Sequence, residues 1–175
     1  MSANPVQTPT GQSPKFHLTA DMKRVINEQR LAFVATVCSD GTANLSPKGT
    51  IAVLDDSRLV FVDIRSPGTV RNLATNPSIE INVVDQFCRK GYRFKGTGHI
   101  VQDGALYQEL QNFYSGKWVD VNKDSKKIAV RAFVLIEVQQ ALPLISPTYD
   151  GGAAEDKVRR EWTQYFAALN SKQGS

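Results

Sequence analysis

The chain has 175 residues, 41% hydrophobic and 22% charged, and its 21 lysines and arginines against 17 acids leave a net charge of +4. That length suits one domain with roughly two-thirds of its unfolded surface buried, and the composition excludes wholesale disorder. The charge is too mild for a dedicated nucleic-acid binder, and no apolar run is longer than that from Ala132 to Ile136, too short to cross a bilayer.

The leader, residues 1–15, holds Pro5, Pro9 and Pro14 among polar residues and reads as disordered, with no secretory pattern. Thr19 is a candidate N-cap, and Met22, Val25 and Ile26 recur at helical spacing up to Arg30. Strand signals follow at Leu31–Cys38, Ala43–Ser46, Thr50–Leu54 and Leu59–Asp63, the first pair joined by a Ser39-Asp40-Gly41-Thr42 turn. Ser66-Pro67-Gly68 breaks the chain, Thr69–Thr75 reads as helical turns, and Ile79, Ile81 and Val83 alternate as in a half-buried strand. Tyr92–Gln102 is a strand whose Gly96 and Gly98 imply a bend or a close approach. A helix over Ala105–Tyr114, a polar loop around Trp118, and an apolar strand over Ile128–Gln139 covered on both faces come next. Val158, Trp162, Tyr165, Phe166 and Leu169 stripe a last helix over Glu155–Leu169. About six strands with peripheral helices predict a mainly β, α+β antiparallel barrel over residues 16–170, followed by a flexible tail at 171–175.

Zinc-ligand spacing, a nucleophile elbow and the phosphate-binding glycine fingerprints are all missing, so no metal is expected. Cys38 and Cys88 make no disulfide framework, which points to a reducing cytoplasm. Three segments carry chemistry. Leu45 to Thr50 sets Lys48 between hydroxyls at a strand junction. Asp63 to Leu73 brings Arg65 and Arg71 to the start of a short helix, where free N–H groups and the helix dipole favour an anion. Arg89 to Gly96 interleaves four cations with Tyr92 and Phe94. Taken singly, each is equally a solvated turn or an edge strand.

Taken in order, VATVCSDGTANLSPKGTIAVLDDSRLVFVDIRSPGTVRNLATNPSIEINVV and then GYRFKGTGHIV resemble the FMN-binding split-barrel proteins related to pyridoxamine 5′-phosphate oxidase. The resemblance spans Leu31–Val101 and implies a six-stranded antiparallel split barrel that forms a homodimer, with FMN at the interface. It implies that Ser46, Pro47, Lys48 and Gly49 line the flavin ring and reach toward the phosphate. Val62, Asp63 and Ile64 would pass beside the ribityl chain, and Arg65, Ser66, Thr69 and Arg71 would grip the phosphate. Gly68 stands where relatives commonly place a cation in that turn. The oxidase's own C-terminal arginine and histidine segment has no counterpart, so pyridoxamine phosphate is not the expected substrate.

The implied activity is a flavin-dependent oxidoreductase acting on a small molecule, with no named catalytic residue. Trp118, Tyr92 and Tyr114 are candidates to wall the cleft. A deazaflavin, drawn by Arg89, Lys90, Arg93 and Lys95, is the alternative cofactor, and a non-catalytic flavin-binding or flavin-sensing protein the alternative function. Neither nucleic acid nor membrane is an expected partner.

Overall fold

The computed structural model describes residues 16–115 and 130–173. The expected leader and the loop around Trp118 lie outside them, as does Ile128 at the start of the expected last strand. The first helix, α1 (Ala20–Gln29), begins where the Thr19 hydroxyl accepts the Met22 N–H at 3.3 Å and ends at Arg30 in a left-handed conformation. There follow β1 (Ala32–Val37), β2 (Ala43–Lys48), β3 (Ala52–Val53), β4 (Arg58–Asp63), α2 (Pro67–Thr75) and β5 (Ser78–Asp85). The rest is β6 (Lys90–Val101), α3 (Gly104–Ser115), β7 (Ala132–Ile145), a short 3-10 turn at Pro147–Tyr149, and α4 (Glu155–Gln173).

The strands form one antiparallel sheet in the order β2-β1-β5-β6-β7-β4-β3. It has seven strands rather than six, the extra one being the two-residue β3 on the rim of β4. Its ends, β2 and β3, are joined in the chain by a turn and not by a ladder, so the expected barrel is a curled half-barrel sheet. The β6–β7 ladder is irregular. The register slips between Lys95, opposite Gln140, and Gly96, opposite Val138, and a side-chain carbon on Gly96 would stand 2.1 Å from the Glu137 carbonyl oxygen. Only glycine lets the backbones approach so closely. After the slip, β7 stays paired as far as Ile145 opposite Lys90, six residues past the sequence-based end.

Two cores form on the two faces of the sheet. Val25 and Ile26 of α1, Leu73 of α2, and Val34, Leu59, Phe61, Ile81, Phe94 and Val134 build the larger. Val60, Val62 and Phe133 pack with Leu110 and Tyr114 of α3 on the other side. Alternate residues of β4 therefore serve both cores, and β7 is covered on both faces over Ala132–Ile136 as its apolar run predicts. Gly98 makes room for α2: a side-chain carbon there would meet Leu73 at 3.0 Å. Burying Leu73 against β6 is worth about 1.5–3 kcal/mol and fixes the helix whose start faces β2.

Candidate ligand groove between β2 and α2

Strand β2 is patterned against the usual rule. Asn44, Ser46 and Lys48 point inward, opposite Thr36, Val34 and Ala32 of β1, while Ala43, Leu45 and Pro47 point out to solvent. An inward polar row on an edge strand is stable only if its groups find partners. The Thr36 hydroxyl, buried on β1, accepts the Asn44 side-chain amide at 3.2 Å and the Asn72 amide of α2 at 3.0 Å. Asn72 also stands 3.5 Å from the Cys38 sulfur. These contacts pin the β1–β2 hairpin to α2 across a row of polar side chains, the candidate ligand groove.

Lys48 closes one end of the groove. It is 3% exposed, its Nζ donates to the Ser46 hydroxyl, and it lies 5.5 Å from the centre of the Phe61 ring. Burial holds its ammonium below the ordinary lysine value, opposed by the charge of nearby Asp63. Asp63, buried at the end of β4, accepts the Ser66 N–H at 2.9 Å and so links Lys48 to the N-cap of α2.

The start of α2 is open to an anion. Pro67 occupies the first turn, the Ser66 side chain makes no capping bond, and no acidic residue sits in that turn. The Thr69 hydroxyl, 1% exposed, has no hydrogen-bond partner. Gly68 is not forced by crowding, because a side-chain carbon there would meet only the Asn44 amide oxygen, at 3.7 Å.

Of the residues singled out from sequence, Ser46, Lys48, Asp63, Ser66 and Thr69 come together here. Arg65 precedes the helix start and Arg71 lies midway along α2, both exposed and without an ion pair among the described residues. Val62 is buried in the smaller core with Ile64 packed on it, Gly49 is exposed in the turn after β2, and Pro47 faces outward beside Phe33. Tyr114 is a core residue stacked on Phe133, and Tyr92 donates to Asp21 at 2.6 Å, so neither walls the groove. Most of the basic stretch is engaged by other elements. Arg93 and Lys95 pair with Glu80 at 3.0 and 3.5 Å, Lys90 pairs with Glu155 at 2.8 Å, and Arg89 lies 4.2 Å over Trp162. Asn44, Thr36 and Asn72 were not singled out from sequence. The inverted alternation of residues 43–48, polar on the even positions, is the signal that marks Asn44.

The family described as pyridoxamine 5′-phosphate oxidase matches residues 18–144. The chain belongs to this FMN-binding split-barrel family. Among solved structures, this split-barrel protein is similar to HupZ from Group A Streptococcus, at 32% identity over 74% of this chain and 95% of that one, with a TM-score of 0.63. An FMN-binding protein from Syntrophomonas wolfei shares the fold at 13% identity, over 70% and 82% of the two chains, with a TM-score of 0.57. So does HutZ, the haem storage protein of Vibrio cholerae, at 19% identity over 72% and 94%, with a TM-score of 0.54. No curated protein matches the chain in sequence. Among the described residues no helix is long and apolar enough to cross a membrane, and no cluster of metal-ligating side chains occurs.

Proposed function

We propose that this split-barrel protein binds FMN and acts as a flavin-dependent oxidoreductase on a small organic molecule. The observation that carries the reading is the unsatisfied start of α2, where the Thr69 hydroxyl is buried without a partner and Ser66 leaves its hydroxyl free of capping. A phosphate monoester suits that donor set. Backbone N–H groups of the first turn and two hydroxyls supply hydrogen bonds, and Arg65 and Arg71 supply mobile charge at the rim. The polar row of Asn44, Ser46 and Lys48 matches the polyol and ring edge that would extend from such a phosphate.

Bound FMN would supply the hydride chemistry, and the chain would supply binding, orientation and electrostatics. Lys48 would set the charge beside the ring. Its buried ammonium, partly offset by Asp63, favours negative charge nearby.

A second copy of the chain completes this reading. Outward residues Leu45 and Phe33 are 65% and 48% exposed, and the row through Phe33 runs from Pro47 across Asn82 and Arg93 to Leu142. The exposed apolar end of this face, at Phe33, Leu45 and Pro47, fits a homodimer with the cofactor near the interface.

The test is the visible spectrum of the purified protein and the identity of the cofactor released by heat. A flavin double band with FMN in the supernatant is the expected result. The single band of a deazaflavin would replace the cofactor while keeping the groove. A Soret band would replace the reading altogether. Both histidines, His17 and His99, are exposed on the single chain. Tight FMN binding with no turnover by common reductants would leave a flavin-binding or sensing role instead of catalysis.

A further inference from the structure

Strands β3 and β4 form only two rungs, Ala52 opposite Val60 and Val53 opposite Leu59. The same register continued would set Thr50 opposite Val62, yet the ladder stops at Ala52. The Thr50 side chain takes over. Its hydroxyl oxygen accepts the Val62 N–H at 2.9 Å and donates to the Val62 carbonyl at 3.3 Å. The carbonyl of Thr50 accepts the Tyr114 hydroxyl of α3 at 2.7 Å, and that hydroxyl also lies 3.0 Å from the Val60 carbonyl. Thr50, Val62 and Tyr114 are all buried.

A hydroxyl standing in for a backbone rung holds two chains apart by a side chain while keeping them tied. The segment running back from Thr50 through Gly49 to Lys48 therefore departs from β4 along a fixed course. The tie lies two residues from Lys48 on one chain and one residue from Asp63 on the other. We propose that Thr50 is a positioning residue of the groove, whose hydroxyl bridge to Val62 sets where Lys48 stands relative to Asp63 and the start of α2. The flavin reading enters only as the ligand of one arm of the test.

Removing the hydroxyl would leave the Val62 N–H and carbonyl buried and unpaired, and the segment would shift until water reached them. Lys48 would move with it, away from Ser46, Phe61 and Asp63, the groups that surround it.

The test compares wild type, Thr50→Ser and Thr50→Val. FMN affinity is read by flavin fluorescence, and the Lys48 ammonium is titrated by NMR with labelled lysine, its signal assigned through Lys48→Arg. Serine keeps the hydroxyl, so FMN affinity should stay within about threefold of wild type, whereas valine should weaken it by about tenfold or more. In Thr50→Val the Lys48 titration should move up toward the ordinary lysine value as burial is relieved. Unchanged affinity and an unchanged Lys48 titration in Thr50→Val would overturn the proposal. So would equal weakening in both variants in step with lost thermal stability, which is the mark of a merely structural role. If wild type binds no FMN, the flavin reading fails and the Lys48 titration alone decides the proposal. If Thr50→Val does not fold, Thr50→Ala, whose smaller side chain admits water, takes its place with the same expectations.

Discussion

In the first turn of α2 the Thr69 hydroxyl is buried with nothing to bond. An unpaired buried hydroxyl costs about 1–3 kcal/mol, and a phosphate oxygen at the helix start would remove that cost. Thr69→Val keeps the shape and deletes the donor. Fluorescence titration should show FMN bound about tenfold more weakly by this variant and riboflavin, which has no phosphate, bound as by wild type. Equal weakening of both ligands would take Thr69 out of the phosphate site. Its neighbours show how far single residues could be read from sequence. Ser46, Lys48, Asp63, Ser66 and Thr69 were legible because they lie in two short segments with hydroxyls and cations at a strand junction and a helix start. Thr36, Asn44 and Asn72 were not, because a hydroxyl shared by two amides from distant parts of the chain exists only after folding. The ion pairs of the basic stretch were not legible for the same reason, since Glu80 and Glu155 belong to other elements.

Among the elements, α4 is held by its first three turns. Val158 is buried, Phe166 meets Phe87 edge-on at 5.6 Å, and Arg159 donates to the buried Asp85 carboxylate at 2.8 Å. Asp85 also accepts the Phe87 and Cys88 N–H groups at 2.9 and 3.3 Å. Burial raises the Asp85 carboxyl, but these hydrogen bonds outweigh it and hold it below the ordinary value. The folded state therefore binds the proton more weakly than the unfolded chain. The stabilisation is complete above about pH 4 and is lost as pH falls through the lower folded value. Asp85→Asn should cost about 1–3 kcal/mol in urea unfolding at neutral pH and flatten the acid limb of the stability profile. An acid limb as steep as that of wild type would assign the effect to other carboxylates. Element boundaries were readable where local chemistry sets them, as at the Thr19 cap of α1. They failed where pairing overrides pattern: Ala141 to Ile145 show no clean alternation, yet β6 carries them along as strand.

At the scale of the whole molecule, α3 covers the second face of the half-barrel only over β4 and β7 and leaves its β1–β2 end, around Phe33 and Leu45, exposed. A second copy seated there would tie cofactor retention to protein concentration. Phe33→Asp, at an exposed position outside both cores, should give a folded monomer by light scattering that releases its flavin on dilution. A wild type of single-chain mass that keeps its flavin would remove the dimer from the proposal. The open sheet also has two rims, and both are blunted. The rim strand β3 offers only two residues, and β2 carries Pro47, whose nitrogen has no hydrogen to give. A foreign strand finds no long continuous ladder to extend at either rim among the described residues.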